Sequence, residues 1–226
     1  IHTWYYTGKP VPLEKFEDHP SWLDRKEQER AQRLARSSDR DEFIYSHLFL
    51  RKVLSLYTGT SPQEIVLSHH PSGKSFLDHP SAQRLLFSMS RSKGAVAVAV
   101  SNSIDMGIDL ERIHEGMPWK DMASSHFPPG EAEMIADNSD PLKTFYRHWT
   151  LREAALKYLG TGLSIPPEKV KVSIPQEGGE TFSTITFSSV GFSDILTGVS
   201  ILEDDLMLSL VFKADREGQL PELDFR

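Results

Sequence analysis

From Ala95 to Val100 alanine and valine alternate with no polar residue among them, and a short run apolar on both faces predicts a strand covered from both sides. Other short runs read the same way: EIVLSHH and LLFSMS before it, MGIDLERI just after, and KVKVSI, TFSTITFSS, DILTGVSIL and LMLSLVF in the last third. Elsewhere the apolar spacing lengthens to that of a helix. SWLDRKEQERAQRLA sets Trp22, Leu23, Ala31 and Leu34 among charges, with Ser21 as the expected N-cap. RDEFIYSHLFLRKVLSLY presents Phe43, Ile44, His47, Leu48, Leu50, Leu54 and Tyr57 on one broad face before TGTSPQE ends it. A third helix, DPLKTFYRHWTLREAALKYLG, has Gly160 as its stop. The stretches MPWK and FPPGEAEMIA read as loop, and the tail KADREGQLPELDFR as a loosely held terminus.

Helical segments followed by short strands occur twice, without any repeat in the residues themselves. The expectation is an α+β chain of two similar halves, each a helix on a small, mostly antiparallel sheet. The boundary falls near Asn102 to Ile104, giving halves 1–103 and 104–226.

Composition narrows the function classes. Of the 226 residues 38% are hydrophobic and 10% aromatic, enough for a real core. A net charge of -7 argues against wholesale nucleic-acid binding. The chain has no cysteine, which excludes disulfides, thiolate metal sites and a cysteine nucleophile and fits a cytoplasmic protein. The opening IHTWYYTGKPVPLEK lacks signal-peptide character, and no apolar run approaches the roughly 20 residues of a membrane span.

The chemistry gathers in two places. In GIDLE, strand alternation sends Ile108 and Leu110 to one side and Asp109 and Glu111 to the other. Like charges that close repel and resist desolvation, so water, a basic side chain or a metal ion should face them. In HWTLREAALKYLG, Trp149, Glu153 and Lys157 share one side of a helix. Taken singly these have ordinary readings, a solvated strand edge and an intrahelical ion pair. Together, Asp109, Glu111 and Glu153 supply three hard oxygen donors suited to Mg²⁺, with Lys157 one turn on facing any phosphate that the ion holds.

GIDLERI followed, after about 40 residues, by FYRHWTLREAALKYLGTGL resembles the motif pair of the Sfp-type 4′-phosphopantetheinyl transferases. Asp109, Glu111, Trp149, Thr150, Arg152, Glu153, Ala154, Lys157 and Gly160 match position by position. PSGKSFL and LLFSMSRSKGAVAVAVS resemble two upstream segments of the family, in the family's order.

This resemblance implies transfer of phosphopantetheine from coenzyme A to a carrier-protein serine, with release of adenosine 3′,5′-bisphosphate. It implies that Asp109, Glu111 and Glu153 hold Mg²⁺, or Mn²⁺ in its place. Glu153 would also act as base, directly or through a water, and Lys157 would offset charge on the departing phosphate. Lys74, Ser90, Arg91, Arg40, Arg30 and Lys157 become the expected coenzyme A contacts. Further implications are a monomer, an acyl or peptidyl carrier protein as partner, and a cleft between the halves as active site. Arg91 stands where the family has histidine, Ser88 where it has asparagine, Ser75 where it has proline and Glu42 where arginine is common. A degenerate, non-catalytic module that grips coenzyme A or a carrier protein is the alternative, and an unrelated Mg²⁺ phosphohydrolase a third. The pair His69 and His70, with His79 nearby, lacks zinc-site spacing. Trp149 is expected in the core behind Glu153; Trp119 and Phe127, between the motifs, have two readings, ordinary partial burial first and part of the carrier-protein surface second.

Overall fold

A computed structural model describes residues 1–7, 21–71, 73–78, 85–160, 165–175, 182–187, 194–214 and 219–226. In chain order the elements are β1 (His2–Tyr6), α1 (Arg25–Arg33), α2 (Ser37–Thr58), β2 (Leu67–His69), β3 (Ser75–Leu77), β4 (Leu86–Ser92), β5 (Ala95–Ser101) and β6 (Met106–Arg112). Then follow α3 (Trp119–His126), α4 (Glu131–Ala136), α5 (Pro141–Leu159), β7 (Val170–Ser173), β8 (Ser183–Phe187), β9 (Leu196–Glu203), β10 (Leu206–Phe212) and β11 (Asp224–Phe225).

One topology occurs twice. In the first half β1 leads through α2 to the hairpin β4–β5, and β5 pairs antiparallel with β1. In the second, β6 leads through α5 to the hairpin β9–β10, and β10 pairs antiparallel with β6. The sheets run β11-β1-β5-β4 and β6-β10-β9-β8-β7, with β2 and β3 forming a separate two-stranded ribbon. This is the expected α+β architecture of two similar halves.

The alanine–valine alternation of β5 has two different partners. Val98 and Val100 meet Leu50, Val53 and Leu54 of α2. Ala95, Ala97 and Ala99 face Met106, Ile108 and Leu110 of β6 and Leu206, Leu208, Leu210 and Phe212 of β10. Small side chains on that face let the second sheet close on the first, while the branched ones fill the wider gap to the helix.

Four local expectations change. The cap of α1 is Asp24, not Ser21: its carboxylate accepts from the Glu27 amide while Glu27 reaches back to the Asp24 amide. The opening strand β1 was not read from the sequence, and the supposed loop contains α3 and α4. The tail is not loosely held. Its strand β11 pairs with β1, the amino terminus donates to the Glu222 carbonyl at 2.6 Å, and Leu223 and Phe225 pack onto the core between the sheets.

Two arginines are wholly internal. Arg51 binds Glu27 at 2.8 Å and the carbonyls of Pro62 and Ile65, fastening α1 to α2. Arg152 binds Glu131 at 2.7 Å and lies 4.0 Å over the Phe127 ring, fastening α4 to α5. His148 donates to the same Glu131 carboxylate at 2.6 Å. Buried guanidinium groups need such full pairing to be tolerated.

Candidate active site

The site begins with a glycine. A Cβ placed on Gly107 would lie 1.9 Å from the Ala154 carbonyl oxygen and 2.5 Å from the Tyr158 amide. Only a residue without a side chain lets β6 lie this close to α5, and that closeness turns Asp109 and Glu111 toward Glu153 and Lys157. On the other face Ile108 and Leu110 are sealed in the core, as strand alternation requires. Behind the helix Thr150 Oγ1 meets Ser209 Oγ at 2.7 Å, and Ser209 is the residue paired with Asp109 in the β6–β10 ladder. The helix is thereby pinned to the sheet at the level of the carboxylates.

Asp109 is 3% exposed. Its Oδ1 accepts from Lys157 Nζ at 2.7 Å and from Ser90 Oγ at 2.8 Å, and Ser90 Oγ in turn accepts from Lys157 Nζ at 2.8 Å. Ser92 Oγ donates to Glu111 Oε2 at 2.6 Å. A cleft of about 400 Å³ exposes Asp109, Glu111, Glu153 and Lys157 together with Ser90 and Arg91. It shares Met89, Glu153 and Lys157 with a second cavity of about 430 Å³ that runs past Arg30, Phe43 and Lys74.

The crowding of like charge appears in the acidities. Burial, and after it the charge of Asp109, pushes Glu111 up to about 7. Burial and then Asp109 also raise Glu153. Asp109 Oδ2 is buried with no hydrogen-bond partner. An orphaned carboxylate oxygen beside two carboxyl groups reluctant to ionise is a donor set that suits a hard divalent cation. Among the described residues no three such side chains stand in a metal-binding arrangement, and the Lys157 ammonium rests on Asp109 Oδ1 at 2.7 Å.

This gives a stability signature without metal. The Glu111 pKa of about 7 in the fold lies above its ordinary 4.5, so the folded state holds the proton more tightly. Its contribution is whole below pH 4.5 and is lost as pH rises through 7, on the order of 2 kcal/mol once residual solvent is allowed for. Urea titrations in a chelator between pH 5 and 8 should show this fall, and Glu111→Gln should flatten it.

The remaining expected residues divide. Arg30 and Arg91 both approach the Phe43 ring, at 5.5 and 5.3 Å, and His47 stacks on it at 3.9 Å. Burial holds His47 down to about 4, so the imidazole is neutral beside the two cations. Arg91 also meets Glu42 at 3.7 Å and donates to Ser46 at 3.3 Å. Lys74 lines the second cavity, but its ammonium is already spent on Asp105 at 2.7 Å and the Tyr158 carbonyl at 2.9 Å. Gly160 makes room for its stem, because a Cβ there would come 2.8 Å from Lys74 Cδ. Arg40 is not brought to the site. It donates to the Leu34 carbonyl at 3.2 Å in the turn between α1 and α2, and it lines neither cavity.

Trp149 rests on Phe145 and Phe127, at 5.9 and 6.3 Å, yet also reaches the cleft, so it is not only core. Phe127 is fully buried, and Trp119 packs partly buried against the same cluster. His69 bonds Ser75 and His70 faces Phe76, while His79 lies outside the described residues. Ser92 and Ser209 were missed by sequence reasoning. The visible signal for Ser92 was the alternation S-M-S-R-S, which puts Ser88, Ser90 and Ser92 on one face of β4.

Comparisons with known proteins bear on this geometry. Residues 105–205 match the model of the 4′-phosphopantetheinyl transferase superfamily, and residues 9–104 match that of the 4′-phosphopantetheinyl transferase N-terminal region. The 4′-phosphopantetheinyl transferase HetI of Nostoc sp. is 30% identical over 171 residues, covering 73% of this chain and 70% of HetI. The 4′-phosphopantetheinyl transferase Sfp of Bacillus subtilis is 25% identical over 177 residues, covering 76% of each. Among solved structures, holo-[acyl-carrier-protein] synthase of Thermotoga maritima aligns with a TM-score of 0.40 and 22% identity over 50% of this chain and 65% of its own. With a family model on each half and a relative at this identity over most of both chains, the protein belongs to the 4′-phosphopantetheinyl transferase superfamily and is a transferase.

Proposed function

We propose that the protein moves 4′-phosphopantetheine from coenzyme A to a serine hydroxyl of an apo acyl- or peptidyl-carrier protein, releases adenosine 3′,5′-bisphosphate, and depends on Mg²⁺, for which Mn²⁺ can substitute. The supporting observation is the meeting of Asp109, Glu111, Glu153 and Lys157 in one cleft, with a buried oxygen of Asp109 left without a partner. Asp109, Glu111 and Glu153 are the residues that would hold the cation. When bound, it would neutralise the coenzyme A diphosphate and draw charge from the bond that breaks.

The chain's own groups supply the rest. Glu153, as the carboxylate whose proton affinity burial raises, takes the proton of the carrier serine directly or through a water. The serine oxygen bonds to the phosphorus that carries pantetheine, and the bond from that phosphorus to the bridging oxygen breaks. The electron pair leaves with adenosine 3′,5′-bisphosphate, where Lys157, released from Asp109, offsets the new charge. Residues 1–103 supply the coenzyme A contacts and 104–226 the metal and catalytic groups. Lys26, Arg30, Lys74 and Lys157 line the deeper cavity that would take the nucleotide. A cytoplasmic monomer is part of this proposal. Separately, among the described residues no helix is long and apolar enough to cross a membrane.

The decisive experiment is incubation with coenzyme A, Mg²⁺ and a panel of apo-carriers, read by intact-protein mass. A gain of one phosphopantetheine supports the reading. Tight coenzyme A binding without product would favour a non-catalytic module, and coenzyme A cleavage without an acceptor a phosphohydrolase. Arg91, a fixed cation lining the cleft beside Asp109 and Lys157, should contribute to phosphate binding. Arg91→Ala is expected to raise KM for coenzyme A about tenfold with kcat little changed. An unchanged KM would remove Arg91 from the phosphate site.

A further inference from the structure

The two sheets meet along β4 and β6, each an edge strand of its own sheet. No backbone ladder joins them. Serine hydroxyls do so instead: Ser88 Oγ accepts from the Ile108 amide at 3.1 Å and Ser92 Oγ accepts from the Arg112 amide at 3.3 Å. Edge N–H groups left without a partner would be costly here, so these hydroxyls satisfy what a ladder otherwise would. All three serines of β4 are buried.

Their remaining bonds differ. A hydroxyl has one proton to give. Ser90 gives its proton to Asp109 and also receives from Lys157. Ser92 gives its proton to Glu111 Oε2 at 2.6 Å while its own oxygen is held by the β6 backbone one residue further on. Glu111 is therefore gripped from behind on one oxygen by a group that is itself fixed at both ends. Ser92 lines neither cavity, so whatever it does reaches the cleft through Glu111.

Resting on the cation reading above, we infer that Ser92 is a positioning residue for the divalent-ion site, holding Glu111 Oε2 so that the other carboxylate oxygen faces the cleft. Ser88 makes the same kind of bond to the β6 backbone but touches no carboxylate, and so provides a matched control. Support of this kind behind a metal ligand is worth about 10–100-fold in affinity.

The test is Mn²⁺ binding to the full chain without coenzyme A or carrier, followed by electron paramagnetic resonance and calorimetry. Ser92→Ala should weaken Mn²⁺ about tenfold or more. Ser92→Cys, close in shape with a weak donor, should do likewise and carries the test should the alanine variant not fold. Ser88→Ala should leave Mn²⁺ affinity within roughly twofold, because Ser88 borders the seam and the second cavity but bonds to none of the three carboxylates. Equal Mn²⁺ affinity in wild type and folded Ser92 variants overturns the role of Ser92 and leaves the cation site standing. An equal loss in Ser88→Ala also overturns it, since the effect would then be general loosening of the seam. Absence of Mn²⁺ binding in the wild type overturns the cation reading and this inference with it.

Discussion

Glu153→Gln is expected to lower the rate of carrier modification by about 10²–10⁴-fold while the protein stays folded. The substitution keeps the shape of the side chain and removes both the proton acceptor and one negative charge from a cleft that already holds Asp109 and Glu111. Because burial and the Asp109 charge disfavour ionised Glu153, thermal stability near neutral pH should hold or rise. That opposed pair of outcomes, activity lost and stability kept, is what separates a reacting group from a structural one. Mass spectrometry of the carrier and a melting curve measure both. Wild-type rates in Glu153→Gln would remove this residue from the reaction and, with it, the proposed route for the serine proton.

The second large effect is structural in origin and catalytic in consequence. Gly107→Ala puts a methyl group where the Ala154 carbonyl oxygen lies 1.9 Å away and the Tyr158 amide 2.5 Å away. Both obstacles are helix backbone, which cannot turn aside as a side chain would. We expect destabilisation of about 3 kcal/mol or more, at the upper end of overpacking costs, seen as a melting point lower by about 10 °C. Any molecules that remain folded must have parted β6 from α5, so specific activity should fall further than the folded fraction does. A variant with wild-type melting and turnover would show that this approach is not what assembles the cleft.

Much of the fold could be read along the chain because it rests on local periodicity. The alternation in β5, the apolar face of α2, and the span of α5 between Asp140 and Gly160 all come through nearly to the residue. Strand β1 escaped notice because its residues, HTWYY, mix polar and aromatic groups and only Thr3 is fully buried. Helices α3 and α4 escaped because they are short and flanked by prolines and glycines, which read as turn signals. The tail has little apolar pattern of its own, and its order comes from β1, at the opposite end of the chain.

The candidate site divides in the same way. The residue types and spacing of Asp109, Glu111, Glu153 and Lys157 were legible because two short motifs carry them, and the structure brings all four into one cleft. Arg40 rests on the Leu34 carbonyl away from both cavities, a placement hidden in the sequence because a basic residue near a helix start looks the same whether it faces a ligand or caps a neighbouring turn. Arg51 and Arg152 gave no sign of burial, since a charged side chain is internal only when distant partners complete its bonds.

By itself the sequence determined the strongly periodic helices and strands, which side of β6 carries the carboxylates, and the chemistry available there, because each depends on residues within a turn or two of one another. Only the tertiary structure decided that Lys157 rests on Asp109, that Lys74 is held by Asp105, that serines on β4 support β6, and that the last strand closes the first sheet. Those contacts join residues far apart in the chain, and their strength comes from burial and geometry that exist only once the two sheets and their helices have packed.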